Sequence, residues 1–550
     1  MAAGGRVVGR AIDFAFPLPS APEYISAVRY FNITGSCDPA RHYMIPAERR
    51  LPGVETLIAK QAYFVVHAPR QTGKTTAMKA LARRLTDEGR YAGLRFSCQN
   101  ATVFPDDILA AQKTVWSEIE ECARTALPEA LRPPARLDAD PGSFLRTQIA
   151  RWAEVCPRPL VLIFDEIDAI GGDSLKSILS QLRTGFDSRP AAFAWSVVLC
   201  GMRDVRDYKA ASGGDPTRLG TSSPFNIKEK SLRIVNFTEA DLRELYAEHT
   251  AETGQIFTEK ALERAWELCQ GQPWLCNALA REVVEEIAVP LAEPITAAHF
   301  NDAKERLILA RATHLDSLIS KLVEPRVHRV IAPVLSGTFA GTDDVYTDDV
   351  AYVRDLGLVA QDRPLRIANP IYREVIARVL ASPVEEQIVA SPASFVLPDG
   401  RLAFRRLLRA FAAFWREHGE VLASGMPYPE VAPQLVLMAF LQRIVNGGGF
   451  IDREYGVGRG RIDLLVRFPY AKPGGARAVQ RRALELKVWR KGRKDPLREG
   501  LAQIDAYLAG LRLGRGTLVI FDARGRLARK APRFEEVKTA RGRAVTLIRA

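Results

Sequence analysis

Two groups of residues have the types and the spacing to do chemistry on phosphate. The first runs Pro69, Arg70, Gln71, Thr72, Gly73, Lys74, Thr75 and Thr76. Where such a loop opens a helix, the glycine lets backbone amides close around phosphate, the lysine reaches the β/γ oxygens and the threonine hydroxyl ligates Mg²⁺. Farther along, Asp165 and Glu166 directly follow the apolar run Leu160 to Phe164. An acid in that place holds Mg²⁺, usually through water, and its neighbour polarises the water that attacks a γ-phosphate. The reading is an ATP and Mg²⁺ site: Glu166 is the catalytic group, Pro69 to Thr76 with Asp165 bind the cofactor, and Thr75 and Asp165 meet the metal.

These groups need a strand behind them and a helix ahead. Tyr63 to Val66 suit a buried strand, and Ala77, Met78, Leu81, Ala82 and Leu85 recur at helical spacing. A chance G-K-T in a surface turn would have neither flank. The usual pattern G-x-x-x-x-G-K-[ST] begins with glycine, whereas Ala68 stands here; a less free first turn and slow, switch-like turnover are expected. Asp165 must end a buried parallel strand beside the loop, where open α/β sheets bind ligands. Further expected elements are a strand at Tyr91 to Cys98, helices at Ile108 to Ala126, Phe144 to Val155 and Ser174 to Leu182, and a strand at Trp195 to Cys200. Arg183, Arg189 and Arg203 are either γ-phosphate sensors or helix-end cations, and Cys200 occupies the place of a polar sensing residue. The segment RHYMIPAERRLPGVETLI either covers the nucleotide base or is a surface lead-in.

From Asn236 amphipathic helices take over, with Thr238 and Asp241 at capping-box spacing and Gly271 and Pro273 dividing two helices. The segments APRQTGKT, LVLIFDEID and GQPWLCNAL together resemble the bacterial AAA-like ATPases related to STAND and origin-recognition-type P-loop ATPases, over roughly residues 25 to 380. The resemblance implies a helical lid whose Gly271 to Pro273 turn meets the nucleotide and repacks with its state. Residues 314 to 380, short helices around a DRP tip at 362 to 364, look like a winged helix. Nine Lys+Arg and nine Asp+Glu between Arg311 and Leu380 favour a structural or coupling role over groove binding.

The second group lies near the C-terminus. A helix with Leu435, Leu437, Met438, Leu441 and Ile444 on its apolar face, opened by Glu430, ends at the glycines 447 to 449. A strand then carries Asp463, and the strand Ala483 to Val488 alternates so that Glu485 and Lys487 share one face. Carboxylates on neighbouring strands repel unless a cation lies between them. Asp463, Glu485 and the Leu486 carbonyl offer hard oxygens to Mg²⁺, and Lys487 can hold or deprotonate an attacking water. Gln503 and Tyr507, four apart on a helix, can orient that lysine or contact phosphate. The ordered set Glu430, Asp463, Glu485-x-Lys487, Gln503-x-x-x-Tyr507 resembles the PD-(D/E)XK nuclease family over about 430 to 525, without the customary proline before the first Asp. The resemblance implies Mg²⁺-dependent phosphodiester hydrolysis, on DNA rather than RNA, and fusions of such ATPases with this nuclease fold recur in bacteria.

Charge is divided in the same way. The chain carries a net +13, but residues 391 to 550 hold 31 Lys+Arg against 14 Asp+Glu, and the remainder holds 46 against 50. A polyanionic partner for the last segment follows, with Arg459, Arg461, Arg490, Lys491, Arg493 and Lys494 flanking the acidic pocket. No apolar run approaches a membrane span, Asp13 breaks the N-terminal apolar stretch, and the seven cysteines form no C-x-x-C pair. These features predict a cytoplasmic protein with reduced thiols and no membrane partner. The expected architecture is α/β, in four parts: a P-loop core at 1–235 with a parallel sheet, a helical lid at 236–310, a winged helix at 311–390, and a nuclease-like α/β domain at 391–550. The function expected is an ATPase whose nucleotide state controls the nuclease, with a nucleotide-dependent homo-oligomer allowed. The alternative is an ATP-dependent signalling switch whose nuclease-like domain is inert and only binds.

Overall fold

The computed structural model describes residues 29–202, 227–310, 313–335, 348–385, 395–425, 432–445, 450–457, 460–472, 476–524 and 532–550. Glu430, Arg203, Arg459 and the glycines 447 to 449 lie outside them. The chain is α/β, with one parallel and one mixed sheet.

The first sheet has the order β2-β3-β4-β1-β5, from β1 (Tyr63–His67), β2 (Ala92–Ser97), β3 (Leu160–Asp165), β4 (Ser196–Gly201) and β5 (Lys228–Arg233), all parallel. The strands β1, β3 and β4 are buried along their whole length, which is why they read as unbroken apolar runs. Helices α1 (Val54–Ala59), α2 (Lys74–Asp87), α3 (Ile108–Ala126), α4 (Phe144–Val155) and α5 (Gly172–Gly185) cover its faces. The bounds of α3 and α4 are those the periodicity predicts. The edge strand β5 was not predicted; its KEKSLR sequence is half exposed and lacks an apolar signal.

Four helices follow: α6 (Glu239–Thr253), α7 (Glu259–Cys269), α8 (Pro273–Arg281) and α9 (Ala297–Leu309). The expected capping box forms, with the Thr238 hydroxyl accepting from the Asp241 amide and Asp241 accepting from the Thr238 amide. Next come α10 (Thr313–Ile319), α11 (Pro325–Leu335), α12 (Asp348–Asp355) and α13 (Pro370–Glu385), with a bridge between Val359 and Ile367 that flanks the DRP turn.

The second sheet has the order β10-β11-β9-β8-β7-β6. Its strands are β6 (Phe450–Val457), β7 (Gly460–Ala471), β8 (Arg477–Arg490), β9 (Arg515–Ala523), β10 (Arg533–Lys538) and β11 (Ala544–Arg549), with β8, β9 and β11 mutually parallel and the other pairs antiparallel. Two long helices, α14 (Phe404–Gly425) and α15 (Ala432–Val445), pack on one face, and α16 (Leu497–Gly510) covers the other. One buried core runs without interruption from Phe237 and Tyr246 through Ile371 and Val375 to Leu484, Leu486 and Phe521. The helical middle of the chain and the C-terminal sheet therefore share an interior. No described helix is long and apolar enough to cross a membrane.

Candidate functional site

Strand register brings the first group of residues together. Asp165 and Val66 both pair with Cys200, so the end of β3, the middle strand β4 and the start of the loop after β1 stand level. Ala68 is buried, and its amide bonds to the Gly201 carbonyl at 3.3 Å. The left-handed positions of the loop are Gln71 and Gly73, at φ 55° and 79°, not Ala68. The missing first glycine thus leaves a methyl packed in the interior rather than a strained turn. At Gly73 an added Cβ would lie 2.9 Å from Arg50 Nη1, so both φ and space favour glycine there.

Lys74 is folded back onto its own loop, its Nζ donating to the carbonyls of Ala68 at 2.8 Å and Pro69 at 2.7 Å. Burial lowers its pKa, opposed by the charges of Asp168, Asp165 and Glu166. The Thr75 hydroxyl donates to Asp165 Oδ2 at 3.0 Å. The Ser97 hydroxyl donates to Glu166 Oε2 at 2.5 Å. Arg95, on β2, was missed from the sequence: it donates to Asp165 Oδ2 through Nε at 2.9 Å and Nη2 at 2.5 Å. An arginine inside a strand that otherwise reads as core was the available signal.

These residues line a cavity of about 560 Å³, within the range of small-ligand sites. A second cavity of about 120 Å³ adjoins it, sharing Gly73 and Thr76, and is lined by Ile33, Tyr43, Ile45, Pro273 and Trp274. The segment before β1 is therefore a wall of this site and not a surface lead-in. The Gly271 to Pro273 turn comes to the same place, with Gln272 Nε2 donating to the Gln71 carbonyl at 3.3 Å. The donor set fits ATP, with phosphates at Gly73 to Thr76 and a flat apolar group against Trp274. Thr75 and Asp165 share an oxygen contact where Mg²⁺ would be held.

Arg189 does not belong here. It donates to the carbonyls of Phe186, at 2.6 Å, and Gln61, and lies over the rings of Phe186 and Tyr63. That is the opposite end of β1 from the loop, so Arg189 cannot sense phosphate in its own chain. Arg183 is exposed on α5. Cys200 is buried, and burial together with Asp165 drives its thiol pKa well up.

The second group also converges. Leu464 pairs with Leu484, which sets Asp463 beside Glu485 one step along the ladder. Asp463 Oδ2 accepts the Leu486 amide at 2.7 Å. Glu485 is buried, with Lys487 Nζ 3.0 Å from its Oε1. Burial, then the charge of Asp463, raises the Glu485 pKa to about 8, with Lys487 opposing. Glu499 on α16 reaches Lys487 at 3.6 Å, and Gln503 lies one turn further along the same helix face. Glu485 Oε2 and Gln503 Oε1 are both buried without a hydrogen-bond partner. The orphaned Glu485 oxygen beside Asp463 fits a hard cation, though no cluster of three or more His, Cys, Asp or Glu with metal-holding geometry occurs among the described residues. Beyond Lys487, Lys491, Arg493 and Lys494 are exposed at the end of β8.

A five-stranded parallel sheet that presents a Gly-Lys-Thr loop beside an Asp-Glu strand end defines a P-loop nucleotide site of the ATPase class. In agreement, residues 58–208 match the family described as AAA domain, so this segment is an AAA-type P-loop ATPase domain. No curated protein matches the chain. Among solved structures, the Walker-type ATPase of Pyrococcus abyssi is similar at 13% identity, over 63% of this chain and 99% of that one, with a TM-score of 0.43. The RuvB Holliday junction branch migration motor of Thermotoga maritima is similar at 14% identity over 60% and 92% of the two chains, TM-score 0.33. Cdc6p of Pyrobaculum aerophilum is similar at 13% over 60% and 94%, TM-score 0.32.

Proposed function

We propose that this protein binds and hydrolyses ATP and that its nucleotide state controls a Mg²⁺-dependent nuclease in residues 391–550, acting on DNA. Lys74 and the amides up to Thr76 bind and orient the phosphates; Asp165 and Thr75 hold the metal that offsets their charge; Glu166 takes the proton of the attacking water. In the C-terminal domain, Asp463 and Glu485 hold the second metal, Lys487 positions water, and Gln503 orients the lysine. The basic residues after β8 steer the strand by its phosphates.

The observation that carries the nuclease reading is the buried, partnerless Oε2 of Glu485 beside Asp463, on a carboxylate whose Oε1 lies 3.0 Å from Lys487 Nζ. A surface charge pair would be solvated; this one is desolvated around a vacant acceptor, an arrangement of acids that sites binding cations keep. Control by nucleotide is supported by contact. An added Cβ on Gly357, at φ 79°, would lie 2.7 Å from Pro69 Cγ of the P-loop. Asp355 reaches His67 at 3.5 Å and Arg233 at 3.4 Å. A winged-helix reading of residues 311–390 gives this turn the part of a coupler, leading through α13 and α15 into the shared core.

The test incubates the full chain with labelled DNA and RNA, Mg²⁺ or Mn²⁺ and ATP, beside Lys74→Ala and Lys487→Ala. Cleavage that needs Lys487 and responds to ATP only when Lys74 is present supports the reading. The same background from wild type and Lys487→Ala on every substrate removes the nuclease and leaves a binding domain on an ATP switch. Cleavage that is indifferent to ATP and to Lys74→Ala removes the control.

A further inference from the structure

A basic cavity opens on the face of the C-terminal sheet opposite the acidic pocket. Along β8, Ala483 packs with Ile504 and Leu508 under α16, as do the positions of Glu485 and Lys487 by alternation, whereas Leu484 and Leu486 pack with Phe411 and Trp415 on the α14 side. Arg482 shares that second face, away from the acidic pocket. There a cavity of about 320 Å³ is lined by Arg401, Arg405, Arg406, Arg482, Arg515 and Thr517, among others. Its volume lies at the small end of ligand sites.

Among the described residues, the charges around it are not balanced. Arg401 is engaged by Asp399, its Nε donating to Oδ2 at 2.7 Å, and Arg405 stands 3.9 Å from Glu536. Five guanidinium groups against two carboxylates leave a net of three positive charges. Arg482 is half-buried, and its Nε is fully buried without a hydrogen-bond partner. Burial, followed by the charges of Arg515 and Arg401, lowers its pKa. A solvated arginine face would not remove a guanidinium N–H from water without supplying an acceptor, because a buried donor left unpaired forfeits its hydration. The first turn of α14 starts at the same wall. Ala403 before it has no side-chain oxygen to cap the free amides.

We propose that this cavity binds a phosphate monoester or diphosphate, carried by a free small molecule or by the 5′ end of a nucleic acid strand. The charge decides between phosphate classes. A backbone phosphodiester brings one negative charge, whereas a monoester brings about 1.5 to 2 at neutral pH together with three acceptor oxygens, which forked guanidinium groups bind in pairs.

The test is calorimetric titration of the full chain carrying Lys74→Ala, which removes the P-loop ammonium, with EDTA present to silence metal-dependent sites. Inorganic pyrophosphate is expected to bind. Arg482→Gln and Arg515→Gln are each expected to weaken it by about tenfold or more, and Arg409→Gln, exposed on the same helix but outside the cavity, to leave it unchanged. Arg515 is exposed, so its substitution reads the site even where Arg482→Gln unfolds the domain. Oligonucleotides with and without a 5′-phosphate separate the sources. A preference for the phosphorylated strand that Arg515→Gln abolishes assigns the strand end, and pyrophosphate binding without that preference assigns a free anion. No pyrophosphate binding, or equal affinity in the parent, Arg482→Gln and Arg515→Gln, overturns the proposal.

Discussion

Arg95 places two guanidinium nitrogens on one oxygen of Asp165, at 2.9 Å and 2.5 Å, and the same oxygen accepts the Thr75 hydroxyl at 3.0 Å. The acid that would hold Mg²⁺ is fully buried, and its charge is matched by a strand residue only 14% exposed. Arg95 and a Mg²⁺ ion held by Asp165 would therefore compete for one carboxylate. Breaking a buried pair by removing one partner costs about 3–5 kcal/mol. Arg95→Gln is expected to lower the melting temperature of the ligand-free protein, and Mg²⁺ with ATP to raise it by more than in the wild type. Equal ligand-induced shifts in the two proteins would show that Arg95 does not contest the metal.

Glu166 is held by the Ser97 hydroxyl and projects from a residue with φ 59°. That fixes its carboxylate beside the loop rather than in the sheet. Glu166→Gln should keep ATP binding while turnover falls by roughly 10²- to 10⁴-fold, the usual worth of a general base. Nucleotide binding by fluorescence and phosphate release by a coupled assay separate the two effects; loss of both together would make Glu166 a binding residue.

For Glu485, the sign of the pH dependence follows from its environment. Its pKa is raised from an ordinary 4.5 to about 8, so the fold favours the protonated form. The stabilisation this gives the metal-free chain is complete below the unfolded value and is lost as pH rises through about 8. Metal binding runs the other way, because the carboxylate must lose its proton to ligate. Mn²⁺ affinity, measured by titration in a Lys74→Ala background, should strengthen by about tenfold per unit up to pH 8 and level off above it. Glu485→Gln should flatten that profile; a flat profile in the unsubstituted acid would count against the site.

The turn Arg354 to Gly357 joins the helical middle of the chain to the P-loop. Asp355→Asn removes the charge facing His67 and Arg233 Nη1, while Arg233 Nη2 stays on the Arg354 carbonyl at 2.9 Å. A loss of about 1–3 kcal/mol is expected for a partly buried charged partner. Gly357→Val would push the turn off Pro69. Both variants should retain DNA cleavage but lose its response to ATP, read as the ratio of rates with and without nucleotide. An unchanged ratio would place the coupling elsewhere.

Much of the architecture was legible because its signals are local. The runs at Tyr63 and Leu160 are apolar throughout since parallel strands are buried on both faces, and the 3.6-residue period of α3 and α4 gave their bounds. The strands β5 and β10 were not legible: both lie at sheet edges with exposed, charged sequences, and only pairing with a neighbour makes them strands. The juxtaposition of Glu485 and Lys487 was legible because alternation already puts them on one face, whereas strand pairing was needed to set Asp463 beside Glu485.

The sequence alone determined the chemistry on offer: a lysine and threonine after a strand, an Asp-Glu pair after another, two acids and a lysine near the end, and a positive charge confined to the last 160 residues. Spacing along a chain is enough for that, since each motif is shorter than the element that carries it. Only the tertiary structure decided what each charge faces. It set Arg95 on Asp165, removed Arg189 to the far end of the sheet, brought Gly357 against Pro69 and gathered five arginines around one cavity. Residues tens or hundreds of positions apart meet through strand order and core packing, and no local pattern encodes a neighbour that another element brings.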